Sequence, residues 1–452
     1  MANNPPGFQA FVEKVLLHYQ LVDEAKLAHI RKSIVQQPAA DILELLVASR
    51  TITENQSRSI REKYEDLVSK QKGKEVATPP PDAVSSKTMG NETAIMSIIK
   101  EAQSKQASDL HLQIGQKPFI RRYGNLITLD APELNAESAS AMFSGLLSAD
   151  QQKKLTEAQA LDFCIESEAW RYRCCLVEQQ NGLECSIRLI PDQIPAYEEL
   201  GLPPEFLQLM EYTEGLVLIT GPSGCGKSTT LASIVDLLND TRDSHIITLE
   251  EPIEYVFKSR SAHISQREVG LHTQSYAAAL RAALREDPDI IVVGELRDQE
   301  TTSLAVTAAE TGHLVFATLH TVSAAQTIYR LLDFFPPNQR NQIRAMVSES
   351  LHGILCQQLI PKQDGSGMAL ATEVLFMVTA IANLVREDKL FQIPNMIQIS
   401  SKFGMHLMDD SLKQLVSNHI ISETDAYFAA NKKDNFKNAA PASSPSGQKE
   451  SA

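Results

Sequence analysis

GLVLITGPSGCGKSTTLASIVDLL, residues 215–238, is the stretch whose reading decides the fold. Gly215 to Thr220 is an unbroken apolar run, the pattern of a strand buried on both faces of a parallel sheet. It leads directly into Gly221-Pro-Ser223-Gly224-Cys225-Gly226-Lys227-Ser228, which matches the eight-residue phosphate-binding loop. The glycines let backbone N–H groups turn inward toward the β- and γ-phosphates of a nucleotide. Lys227 brings a mobile positive charge to the same phosphates, and the Ser228 hydroxyl is a ligand for Mg²⁺. The run that follows is helical, and its positive end faces the anion. The competing reading is a chance match, but strand before and helix after are the context the mechanism requires. Gly221, Ser223, Gly224, Cys225, Gly226, Lys227, Ser228 and Thr229 are therefore the candidate nucleotide-binding residues.

Working outward, Asp289-Ile-Ile-Val-Val-Gly-Glu295 is a second apolar strand ending in a carboxylate. This fits a Walker B strand, whose acid acts on Mg²⁺ through the ion's water shell. Between the two lies Ile246-Ile-Thr-Leu-Glu250-Glu251-Pro252-Ile253-Glu254-Tyr255. Three carboxylates so close need a cation, a basic partner or solvent to offset their repulsion. One of them is a candidate for orienting an attacking water; the bland alternative is a solvated acidic loop. Farther on, His313 and His320 bracket another buried strand. Their separation suits neither a helical metal pair nor a zinc site. His320 or His313 as a polar sensor at the γ-phosphate end of the sheet competes with a structural role for each.

The 452-residue chain is long enough for two to four domains. Residues 1–71 show helical periodicity and read as a small N-terminal helical docking module. Residues 72–91, with three consecutive prolines, read as a flexible linker. Residues 92–190 mix helices with short alternating strands, and 191–206 read as a hinge. Residues 207–430 alternate β and α elements, predicting a largely parallel sheet covered by helices. From Asn431 the small and polar composition predicts a disordered tail, 431–452. Asn431-Lys432-Lys433-Asp434 fits a guanine-reading pattern, but it follows no buried strand.

Composition narrows the function classes. At 43% hydrophobic and 22% charged, the chain reads as a globular protein. It has no apolar run of spanning length and no secretory start, which predicts a cytoplasmic protein, peripheral to a membrane at most. Net charge is -14, from 42 basic and 56 acidic residues, a poor match to a nucleic-acid partner. The six cysteines form no CxxC pair, so neither zinc nor a disulfide framework is expected.

In this order, the phosphate loop, acidic box, Glu-ended strand and double-histidine strand resemble the secretion ATPase superfamily of type II secretion and type IV pili. Ala107-Ser-Asp-Leu-His-Leu112, Leu284-Arg-Glu-Asp-Pro-Asp289 and Ala308-Ala-Glu-Thr-Gly-His313 carry the same resemblance, which covers about residues 95–430. It implies a PAS-like α+β domain before a RecA-like P-loop domain, an α/β fold overall, with ATP and Mg²⁺ in the cleft between them. It further implies a homohexameric ring that works on an inner-membrane pilus platform protein at the base of the machine. Residue by residue, Glu254 resembles the catalytic glutamate, Glu295 the Walker B glutamate, and His313 and His320 the histidine box. Arg173 and Arg188 resemble the family's arginine fingers. Glu251 stands where the family usually has aspartate. Thr318 to Arg330 and Ser348 to Pro361 look closest to the pilus retraction (PilT-like) branch, and 321–376 lacks the four-cysteine insert of assembly and type II motors. The expected function is ATP-driven pilus retraction. An assembly or secretion ATPase, which the extra N-terminal segment favours, and an accessory low-turnover retraction subunit are the alternatives.

Overall fold

The computed structural model describes residues 89–167 and 170–439, together with Leu43. The predicted docking module, 1–71, and the linker as far as residue 88 lie outside the described residues, Leu43 excepted. The first described helix, Met89–Ser104, takes up the last three residues of the segment read as linker.

The smaller of two sheets is wholly antiparallel. Its strands are β1 (Asp109–Leu112), β2 (Phe119–Arg122), β3 (Asn125–Thr128), β4 (Ala160–Ser167), β5 (Trp170–Gln179) and β6 (Gly182–Pro191), in the order β3-β2-β1-β6-β5-β4. Alternation along β1 and β5 sends Leu110, Leu112, Tyr172, Cys174 and Leu176 to one buried face. There they meet Ile95 and Ile99 of the first helix and Phe143 of helix Ala136–Ser144. Asn135 and Ser148 open helices Ala136–Ser144 and Ala149–Ala158 with capping boxes, closed by Ser138 and Gln151. The opposite face carries polar side chains in cross-strand register: Arg121 opposite Asp109, Asp109 opposite Arg188, and Arg188 opposite Arg173.

The larger sheet holds β7 (Gly215–Thr220), β8 (His245–Glu250), β9 (His263–Glu268), β10 (Ile290–Val293), β11 (Leu314–Leu319), β12 (Leu351–Pro361) and β13 (Met368–Phe376). The order is β13-β12-β7-β11-β10-β8-β9, and every pairing is parallel except β12 with β13. The parallel sheet read from alternating elements is therefore present. β7 lies between β12 and β11 with all six residues buried, which is why it reads as a continuous apolar run. From β7 the chain passes through helix Lys227–Thr241 and skips two strand positions before entering β8. A crevice at the carboxyl ends of the strands results, where α/β folds place ligands. Helices Tyr276–Ala283, Gln299–Glu310 and Ala324–Asp333 begin at Ser275, Asp298 and Ser323, each of whose side chains accepts a backbone N–H of the first turn.

Two segments differ from their sequence reading. Most of the predicted hinge, 191–206, belongs to the large domain: Tyr197, Leu202 and Phe206 are buried in its core, and the Tyr197 hydroxyl donates to Pro203 O at 2.9 Å. Only the short stretch after Pro191 bridges the domains, because the aromatic and leucine side chains beyond it find a core to enter. The predicted disordered tail is ordered as far as Ala439. The buried Asp409 carboxylate accepts the backbone N–H groups of Asn431 (2.8 Å) and Lys432 (3.0 Å) and the side-chain amide of Asn435 (2.7 Å). Phe436, 4% exposed, anchors the turn. One apolar anchor and a buried acceptor outweigh a composition that looks unstructured; the guanine-like pattern is part of this docked turn. Residues 440–452 lie outside the described residues.

Candidate active site

The phosphate loop connects β7 to its helix through three glycines in the left-handed region: Gly221 at φ 145°, Gly224 at 77° and Gly226 at 90°. A Cβ on Gly221 would sit 2.3 Å from Gln357 O and 2.5 Å from Cys225 Sγ, so this position must be glycine. Cys225 packs inward, and burial pushes its thiol up, away from the reactive thiolate form. Ser228 is exposed at the first turn of the helix, and the Thr229 hydroxyl lies 3.3 Å from the Tyr255 hydroxyl of the acidic box.

Lys227 is 9% exposed. Its Nζ donates to Gly221 O at 2.8 Å and Pro222 O at 3.0 Å, with His320 Nδ1 at 3.3 Å. Burial lowers its pKa, while Cys225, Glu295 and Glu254 act in the opposite direction. His320 Nε2 lies 3.0 Å from Glu295 Oε1. A lysine ammonium only donates, so Nδ1 of His320 accepts and Nε2 carries the proton toward the carboxylate. The other oxygen of Glu295 accepts from Arg297 Nε at 2.7 Å, and Arg297 Nη1 donates in turn to Glu251. A continuous polar chain thus runs Lys227–His320–Glu295–Arg297–Glu251. Arg297 was not singled out from the sequence; its only signal is a basic residue two positions after a strand-terminal glutamate, which many exposed loops share.

The three carboxylates of the acidic box part ways. Glu250 turns inward, accepting from the Thr248 hydroxyl at 2.7 Å and the Gln266 amide at 3.1 Å. Burial raises its pKa to about 6, against the opposing effect of those two donors. Glu251 takes Arg297, and Glu254 takes Arg173, whose Nη1 lies 3.4 Å from Glu254 Oε1. The latter pair joins β5 of the small domain to the nucleotide domain, with side chains 33% and 15% exposed. Nearby, Ile190 of β6 and Ile194 pack with Ala232, Tyr255 and Phe257, an apolar seam beside the ion pair.

Not every candidate residue comes together here. Arg188 stands opposite Arg173 in register, but its Nε donates to Asp109 at 3.0 Å within the small domain. His313 is at the far end of its strand: β11 begins opposite Gly215 and ends opposite Thr220. At about 3.3 Å per residue the strand holds the two histidines roughly 20 Å apart. The His313 Nδ1 lies 3.0 Å from Ala308 O, and its carbonyl accepts from Gly215 N at 3.0 Å. Of the two histidines that bracket this strand, His320 stands beside Lys227 and Glu295, whereas His313 stands at the other end of the strand.

The family model described as type II/IV secretion system protein matches residues 86–401. The type IV pilus retractation ATPase PilT of Pseudomonas aeruginosa is 43% identical over 343 residues, spanning 76% of this chain and 99% of that protein. A twitching motility protein of Neisseria gonorrhoeae is 42% identical over 306 residues, spanning 68% and 82%. The crystal structure of the pilus retraction motor PilT with bound ADP aligns with a TM-score of 0.68 at 44% identity, over 76% of this chain and 99% of that one. The family model covers more than half of the chain and the PilT relative is spanned almost entirely, so the chain belongs to the type II/IV secretion system protein family.

Proposed function

We propose that this chain is an ATP-hydrolysing motor that powers retraction of a type IV pilus, acting in the cytoplasm as a homohexameric ring beneath an inner-membrane platform protein. The observation that carries the reading is the Arg173–Glu254 pair, which ties the small domain to the candidate catalytic carboxylate. The PilT relatives, matched over nearly their whole length, support the direction of work.

On this reading the triphosphate enters the P-loop and competes for Lys227. The lysine exchanges two carbonyl acceptors for phosphate oxygens, and His320 Nδ1 loses its donor. Glu254 accepts a hydrogen bond from the attacking water and aligns it with the γ-phosphorus. Arg173, released from Glu254, offsets charge on the transferring phosphoryl group. Arg188, opposite it on β6, is the second candidate finger. Breaking and remaking the Arg173–Glu254 pair shifts the small domain against the large one, which converts nucleotide state into movement. The exposed Ser228 hydroxyl and the Glu295 carboxylate, acting through water, are hard oxygen donors that fit Mg²⁺. Held there, such an ion would offset negative charge on the phosphates.

Deletion of the gene tests the direction of work. Retraction predicts excess surface pili with lost twitching. Bald cells would instead identify an assembly motor, and unchanged pili an accessory or secretion role.

A further inference from the structure

We infer that Arg297 is a positioning residue for the Walker B glutamate, holding Glu295 in one orientation by using Glu251 as its own anchor. The inference rests on the ATPase reading and concerns the same site. Glu295 has two carboxylate oxygens, each with a separate partner: Oε1 faces His320 Nε2 at 3.0 Å and Oε2 accepts from Arg297 Nε at 2.7 Å. With both oxygens engaged, the carboxylate plane cannot rotate without breaking a bond. Histidine alone would leave that rotation free.

Arg297 can do this only if its own guanidinium is fixed. Nη1 is fixed by Glu251, and the planar group lies 6.0 Å from the centroid of the Tyr276 ring. The fork geometry of arginine lets Nε and Nη1 serve two carboxylates together, which a lysine ammonium cannot reproduce at the same positions. This gives Glu251 a role distinct from its neighbours. Glu250 is turned into the fold and Glu254 faces the small domain, whereas Glu251 reaches along the sheet edge to the strand-end glutamate. The longer glutamate side chain spans the distance to an arginine that begins beyond β10. Arg297 therefore acts through Glu295 rather than on nucleotide or the attacking water.

The test is a double-mutant cycle on the full chain with Arg297→Gln, Glu251→Gln and the pair. Steady-state turnover is measured beside binding of a fluorescent ATP analogue. A merely structural arginine would weaken binding and turnover together. Positioning predicts that Arg297→Gln lowers kcat about 10- to 100-fold, the range for a misplaced catalytic group. Analogue affinity and KM should stay within about twofold, since Lys227 and the loop are untouched. Glu251→Gln should lower kcat less, and add little in the Arg297→Gln background. Arg297→Lys should rescue poorly. Equal kcat for Arg297→Gln and wild type overturns the proposal, as does a parallel loss of affinity. A faster Glu251→Gln enzyme would also overturn it, because it would mean that Glu251 restrains an arginine acting directly on phosphate. A wild-type chain that binds the analogue without turnover would overturn the ATPase reading and this proposal with it.

Discussion

Breaking the Arg173–Glu254 pair one partner at a time measures how far the two residues work as a unit. At 3.4 Å, two unit charges attract by about 5 kcal/mol at an effective dielectric near 20. That figure is an upper bound, because the Arg173 side chain is 33% exposed and water screens it. Fully exposed pairs couple by about 0.2–1 kcal/mol. Glu254, at 15%, is more enclosed, so a coupling of about 1–2 kcal/mol is expected. The assay is kcat for Arg173→Gln, Glu254→Gln and the double variant. Each single change should cost at least 100-fold, by loss of phosphoryl-charge compensation and of water alignment respectively. Because the pair is broken before phosphoryl transfer, each single change also removes ground-state pairing, so the double variant should lose about 5- to 30-fold more than the product of the single losses, the factor matching that coupling. Fully multiplicative losses, with no coupling beyond a few tenths of a kcal/mol, would refute the idea that the pair is one device. An Arg173→Gln enzyme with normal kcat would remove the arginine from the mechanism altogether.

Three further outcomes follow from the geometry. Gly221→Ala places a methyl group 2.3 Å from Gln357 O at φ 145°, so binding of a fluorescent nucleotide should be lost and the melting temperature should fall. Glu250 has a folded pKa raised to about 6, so ionising it above that pH costs the folded state about 2 kcal/mol. Glu250→Gln should therefore melt higher than wild type at pH 8, with the advantage shrinking as pH falls through 6 and vanishing near 4.5; a pH-independent difference would contradict the assignment. Asp409→Ala leaves three donors without their acceptor and should destabilise the chain by about 2–4 kcal/mol, with new proteolytic cleavage between residues 431 and 439.

The candidate nucleotide site was legible because its strand, glycine loop and helix are contiguous, and 215–238 carries all three. The parallel sheet was legible for a related reason, since strands buried on both faces lose alternation and read as apolar runs such as Ile290–Val293. Pairing across the domains was not legible. Arg173 and Glu254 meet only because β5 folds over the acidic box, whereas Arg188 is diverted to Asp109 by its place in the small sheet. The two histidines bracket one apolar run in the sequence, and the extended strand it forms carries them to opposite ends of the sheet. Arg297 escaped notice because its meaning depends on Glu251, which precedes it by a whole β-α-β excursion. The order of residues 431–439 was missed for a similar reason, since the acceptor that organises them, Asp409, lies on an earlier helix.

Complementation of the deleted gene with Glu254→Gln, scoring surface pili and twitching while the purified variant is assayed for nucleotide binding and turnover, tests whether ATP hydrolysed at Glu254 drives retraction. The variant should bind ATP, turn over at least 100-fold slower, and leave cells with excess pili and no twitching. A Glu254→Gln strain that twitches like wild type would contradict it.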